Sequence, residues 1–202
     1  MSQHNPRYPE IALDDLDEDQ KRVFDAIVAG PRGRVAGPLQ VWLQSPNLAA
    51  RAQALGQFAR YDSSLPPVLS ELAILVTGRI WGSEFEWATH SPIAHAAGLP
   101  ADVIKAISLG LRPNFQDHQQ TSVFNFAVEL HRDRAVSDAS FAKATEALGT
   151  RGVVDLVGIC GYYTLISMTI NVFDVPYDTP AQLPALDLAL SEYFRETDKS
   201  GP

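Results

Sequence analysis

The chain has 202 residues, 46% apolar and 20% charged, with a formal net charge of -8 and a pI near 5.0. This suits one well-packed domain and argues against disorder. With no lysine–arginine cluster anywhere, nucleic acid and anionic membrane surfaces are poor partners, because both are bound mainly through phosphates.

Cys160 is the single cysteine, so neither an intramolecular disulfide nor a cysteine-only zinc site is possible. The N-terminus, MSQHNPRYPE, lacks the basic start and apolar core of a secretory signal. No run approaches the roughly 20 apolar residues of a membrane span. The expectation is a soluble, cytoplasmic protein.

Residues 1–13 have no period and read as an irregular arm, lying on the surface or on a neighbouring subunit. Asp14 to Ala29 reads as a helix with an acidic opening and a Val23, Phe24, Ile27 stripe. GRVAGP is a loop of small residues, followed by a short apolar helix, Leu39 to Leu43. Ser45 as cap and Pro46 at the first helical position start a helix to about Arg60, burying Leu48, Ala52, Leu55 and Ala59. After a turn, Pro66-Pro67 opens a helix to Ile80 or Trp81 with the stripe Leu69, Leu72, Ala73, Val76, Ile80.

Ser83 caps the next helix, Glu84 to Ala97, which Gly98 ends and Pro92 should bend. Short helix follows from Pro100 to Leu109, then a loop over 110–117. Asp117 caps Gln119 to Arg132, whose inward face is Val123, Phe126, Ala127 and Leu130. Asp138 to Leu148 and the long apolar Arg151 to Phe173 come next, and an amphipathic helix from Pro184 to Glu196 closes the chain. Residues 198–202 are a frayed tail. With no period-two run and no Asn-Gly or Asp-Gly hairpin signal, the fold class is all-α: a single domain over 14–197.

The stretch PPVLSELAILVTGRIWGSEFEWATHSPIAHAAG (66–98) sets Glu71, Glu84, Glu86, His90 and His95 among large apolar residues. Buried charge without partners costs several kcal/mol, on the order quoted for such transfers. Residues three and four apart share a helix face, which puts Ser83, Glu86, His90 and Ala94 on one line flanked by Trp87. Glu71 faces them if the preceding helix folds back through the Gly82 corner. Two carboxylates and an imidazole in a low-dielectric pocket are suited to proton transfer. The same Glu86–His90 spacing also describes an ordinary solvated i,i+4 pair. Glu71, Glu86 and His90 are metal-ligand types as well, but His95, roughly 140° away around the helix, is a poor fourth; neither a metal nor a cofactor is expected.

On the long helix Tyr163, Ser167 and Asn171 form a polar line, either pocket lining or core hydrogen-bonding groups. Gly158 and Gly161 there suit close approach of another helix. Arg34, in the GRVAGP loop, and Arg79, one turn before the corner, are the candidate cations for an acidic substrate, and both also read as surface residues.

The pattern LSELAILVTGRIWGSEFEWATHSPIAHAAGLPADVIKAI resembles the carboxymuconolactone decarboxylase family, which shares its all-helical fold with alkylhydroperoxidase D. The resemblance is centred on about 55–132, and the flanks resemble the family's longer members. It implies an alkylhydroperoxidase D-like helical bundle and a homo-oligomer, trimeric or hexameric. Peroxidase members carry Glu, a Cys-x-x-Cys pair, then His as a proton relay. Glu71 and His90 match the relay, while Ser83 and Glu86 occupy the two cysteine positions. Without a thiolate the cysteine route to hydroperoxide reduction is closed, and Cys160 reads as an inert core thiol.

What remains is an acid/base site acting on a small-molecule substrate. The leading reading is a cofactor-independent lyase, a decarboxylase or isomerase of a small carboxylated lactone or keto acid. His90 would protonate the carbanion carbon, Glu86 would set its tautomer, and Glu71 would complete the relay. Ser83, Trp87, Arg34, Tyr163 and Asn171 would line the substrate. Two alternatives stand beside it: a peroxiredoxin-type antioxidant activity like that of the fold relatives, and an oligomeric protein that binds a ligand without turning it over.

Overall fold

The computed structural model describes residues 7–177, 183–186 and 189–195, and among these it has helices and turns but no strand. Eight α-helices run in chain order: α1 Glu18–Ala29, α2 Pro38–Trp42, α3 Pro46–Gln57, α4 Pro67–Ile80, α5 Glu84–Ala96, α6 Ala101–Ser108, α7 His118–Asp133 and α8 Asp138–Phe173. The acidic N-terminal segment is not one helix. Leu13–Asp15 is a 3₁₀ turn, and α1 starts afresh because Asp17 and Gln20 form a reciprocal capping box.

α4 is the axis of the molecule. It packs against α5, α7 and α8, and every residue from Leu69 to Arg79 is buried. The apolar stripe expected here understates it: partners on several sides bury the whole circumference. Proline at the first helical position pre-sets its start. It ends in a Schellman motif, with Ser83 N–H donating to Gly78 O at 2.9 Å and Gly82 N–H to Arg79 O at 3.1 Å. Gly82 takes φ 59°, the left-handed conformation that this corner needs and that glycine adopts without penalty. The corner folds α5 back along α4, and α5 runs through Pro92 to Ala96.

α3 buries Ala49 and Ala52 rather than Leu48 and Leu55, which are 44% and 43% exposed. Ser45 stands at its N-cap position without a side-chain cap bond. The chain then continues as a π-helical turn, Phe58–Asp62. Ser64 N–H and Oγ–H both donate to the buried Asp155 of α8, at 2.8 and 2.6 Å, and fix that turn. α7 follows its expected face, with Val123, Phe126 and Ala127 buried and Asp117 capping through Gln120 N–H.

α8 is interrupted at Gly149, whose φ 71° and ψ 168° are not helical, matching the expected division after Leu148. Contrary to the hydropathy expectation, α8 is long and apolar enough to span a bilayer by length and composition, with a window of mean hydropathy 1.6. In the fold, 61% of that window is buried.

The arm from residue 7 packs on the end of α8. Arg7 N–H donates to Phe173 O at 2.9 Å, and Tyr8 stands edge-on to Phe173. The expected closing helix does not form over the described part of 184–196, where Leu190–Glu192 is a 3₁₀ turn. Phe194 instead takes φ 60°, donates its N–H to Gly110 O and buries its ring against Phe124. Residues 187, 188 and 196, and the expected tail, lie outside the described residues.

On the far side of α4, His131 Nε2–H donates at 2.9 Å to Thr77 Oγ1, which itself donates to Ala73 O. Burial pushes the imidazole pKa down from 6.5 to about 4. A native pKa below the unfolded one gives stability that is present above pH 6.5 and lost as pH falls toward 4, on the order of 3 kcal/mol for such a shift. Urea unfolding midpoints are expected to drop between pH 7 and 4.5, and His131→Gln is expected to flatten that dependence.

Candidate functional site

α4 and α5 bring Glu71, Glu86 and His90 together in the interior, none more than 4% exposed. His90 Nδ1–H donates to Glu71 Oε2 at 2.8 Å. That leaves Nε2 on the far side of the ring, 3.4 Å from Glu86 Oε2. This second approach has ion-pair distance but not hydrogen-bond geometry, and Glu86 Oε2 is a buried oxygen without a hydrogen-bond partner. The tautomer-setting role assigned to Glu86 from sequence therefore belongs to Glu71, and Glu86 faces the nitrogen left free.

Burial raises the Glu86 carboxyl pKa above the usual range, against the lowering pull of His90, Arg60 and Arg32. Tyr163 stands edge-on to His90, with ring centroids 5.0 Å apart, and Tyr162 stands edge-on to Tyr163 at 5.2 Å. Burial pushes the Tyr162 phenol up to about 12 and Tyr163 well above its ordinary value, so both stay neutral at physiological pH.

Glu86, His90, Tyr162 and Tyr163 line a small inner chamber that is partly open to solvent. An outer, more open vestibule that shares part of this lining includes Pro31, Arg34 and Tyr61. Arg32, Arg60, Phe85 and Thr89 line both and form the neck between them. Arg32 Nη2 donates to the Tyr162 hydroxyl at 3.1 Å. Gly56 makes room for this pair: a Cβ there would sit 2.1 Å from the Tyr162 oxygen and 2.5 Å from Arg32 Nη2. A separate cleft at the arm is lined mainly by apolar residues such as Ile11, Leu16, Phe24 and Leu43, with Glu10 its one carboxylate among the described residues.

The other residues expected at the site divide. Ser83 is fully buried with an unpartnered Oγ, and Trp87, four residues on, is also buried. Arg34 is exposed and reaches only the vestibule. Asn171 is an exposed residue whose Nδ2 donates to Trp81 O at 2.8 Å, so it holds the end of α4 rather than lining the chamber. Arg79 turns away toward the C-terminal segment, its guanidinium 5.6 Å from the Tyr193 ring centroid. Ser167 is fully buried with a free Oγ.

Arg32, Arg60 and Tyr162 were not legible from sequence. Arg32 sits in a glycine-flanked helix terminator, and Arg60 in what reads as a helix end. Gly56, four residues before Arg60 in an otherwise helical stretch, is the one local signal of close approach there.

Cys160 is fully buried, and burial pushes its thiol up to about 12. Among the described residues no three or more His, Cys, Asp or Glu are arranged to hold a metal ion. The geometry gives the reason: the two His90 nitrogens address different carboxylates from opposite sides of the ring.

Residues 46–129 match the model of the carboxymuconolactone decarboxylase family. None of the curated proteins matches the chain. Among solved structures, the chain resembles an uncharacterized peroxidase-related protein from Silicibacter sp. TM1040, with a TM-score of 0.71 and 13% identity over 87% of this chain and 94% of that one. At that identity the likeness establishes the fold, an all-helical bundle of the alkylhydroperoxidase D-like type.

Because an uncharged Glu86 is favoured inside the protein, its contribution to stability is present below the unfolded carboxyl pKa near 4.5 and is lost as pH rises through the raised native value. Glu86→Gln is therefore expected to melt at a higher temperature than the parent at pH 8 and alike at pH 4, read by circular dichroism at both pH values.

Proposed function

We propose that the protein is a cofactor-independent acid/base lyase acting on a small carboxylated lactone or keto acid, a reading supported by the match of residues 46–129 to the carboxymuconolactone decarboxylase family model. The observation that carries this reading is the asymmetric tethering of His90. One nitrogen is committed to Glu71 at 2.8 Å, and the other stands free beside Glu86 at the wall of a chamber. An imidazole held this way keeps one tautomer and presents one nitrogen to a reacting atom.

In a decarboxylation the bond between the carboxyl carbon and its neighbour breaks, CO2 leaves, and the electron pair stays on the neighbour as an enolate conjugated to the substrate's own carbonyl. The proton that quenches this carbanion comes through His90 Nε2, with Glu86 as the adjoining reservoir. Isomerisation uses the same pair, one proton removed and one returned. Neither needs an outside oxidant or reductant. Buried carboxylate and imidazole partners of this kind contribute about 10²- to 10⁴-fold to rate.

Peroxide reduction through a thiolate is disfavoured by the buried Cys160, whose thiol pKa is pushed up to about 12. The test is CO2 release and ring isomerisation on a panel of β-keto acids and carboxylated lactones. His90→Ala and Glu71→Gln are each expected to slow the active substrate at least about 10²-fold, and Cys160→Ala is expected to leave the rate unchanged. Peroxide consumption abolished by Cys160→Ala would replace this reading with a hydroperoxidase. Tight ligand binding with no turnover across the panel would leave a binding protein.

A further inference from the structure

The three arginines around the chamber are unexplained by the relay. Arg32, Arg34 and Arg60 line the neck and vestibule, and among the described residues none of them forms an ion pair. Among the described residues Glu86 is the only carboxylate lining either space, and it is nine-tenths or more buried with an oxygen that has no hydrogen-bond partner. In a chain of net charge -8, this entrance is a local excess of positive charge over a low-dielectric chamber. Such an arrangement draws and orients anions.

Two of the three cations are also specifically positioned. Arg32 is held by the Tyr162 hydroxyl where Gly56 removes the obstructing side chain, and its Nε is buried without a partner. Arg60 is carried by the π-helical turn Phe58–Asp62, a rare geometry that recurs at functional sites. The Asp155 clamp on Ser64 pins the chain just beyond that turn.

We propose that Arg32 and Arg60 form the carboxylate-binding element of the site, gripping a small organic acid anion at the neck so that its other end enters the chamber beneath His90 and Glu86. The assignment rests on the acid/base reading for what happens in the chamber, but the anion site stands or falls separately. Guanidinium donors match the planar carboxylate in forked pairs, and the buried, unpartnered Arg32 Nε–H is a donor that such a ligand would satisfy. Arg34, exposed at the rim, steers rather than grips.

Succinate, its neutral diamide and inorganic phosphate, titrated calorimetrically into the full-length protein at low salt, decide the matter. Succinate is expected to bind, and the neutral diamide at least about tenfold more weakly, as expected when charged, forked hydrogen bonds carry recognition; phosphate, with no second end to enter the chamber, is expected to bind more weakly than succinate. Arg32→Gln and Arg60→Gln are each expected to weaken succinate about tenfold or more, and Arg34→Gln only about two- to threefold, in line with the small worth of exposed charges. Arg60→Gln, placed on a turn open to the vestibule, carries the test if Arg32→Gln does not fold. No succinate binding, equal binding of the diamide, tighter binding of phosphate, or indifference to both glutamine substitutions would overturn the assignment. Intact succinate binding with no turnover of any acid would instead count against the lyase reading alone.

Discussion

The buried contact between Glu71 and His90 is the constraint on which the rest of the molecule turns. A carboxylate and an imidazole taken out of water cost several kcal/mol each unless they find one another in good geometry. The 2.8 Å bond meets that demand, and it exists only because α5 returns along α4 from the Gly82 corner. α7 and α8 then cover α4 on its remaining sides, so the polar pair sits in a helix that is otherwise wholly packed. Removing one partner of such a pair leaves the other uncompensated, which typically costs about 3–5 kcal/mol.

The network is satisfied at one end and open at the other. Glu71 is used by His90, while Glu86 Oε2 keeps no hydrogen bond. Half-satisfied buried polar groups reduce stability, on the order of 1–3 kcal/mol per unsatisfied group. A fold selected only for stability has a simple remedy, a hydrophobic residue at 86. The unused oxygen opens instead on the chamber, beside the free imidazole nitrogen and within the influence of Arg32 and Arg60. Departures of this kind from local consistency are expected at functional sites.

Much of this was legible in the residues. The all-helical class, the α4–α5 pair, the Gly82 corner and the convergence of Glu71, Glu86 and His90 follow from spacing and glycine placement, because helical period and turn chemistry are local properties. The family match at 46–129 overlaps most of the segment 55–132 expected from resemblance. What failed was set by distant contacts. Leu48 and Leu55 face outward because α3 packs through small alanines. The closing segment gives up helix because Phe194 finds a better place against Phe124. Asn171 belongs to a backbone carbonyl ninety residues away. Arg32 and Arg60 escaped notice because their meeting depends on a π-turn and on Gly56, neither of which has a periodic signature.

The division of labour between the two carboxylates is therefore the central claim, and the protonation state of His90 reads it directly. Nitrogen-15 chemical shifts of the imidazole in the free protein, recorded with Glu71→Gln as the assignment control, report which ring nitrogen carries the hydrogen. This division of labour puts the hydrogen on Nδ1, facing Glu71, and leaves an Nε2 whose shift responds to Glu86→Gln. A hydrogen on Nε2 with Nδ1 bare, unchanged by substitution at Glu71, would contradict it.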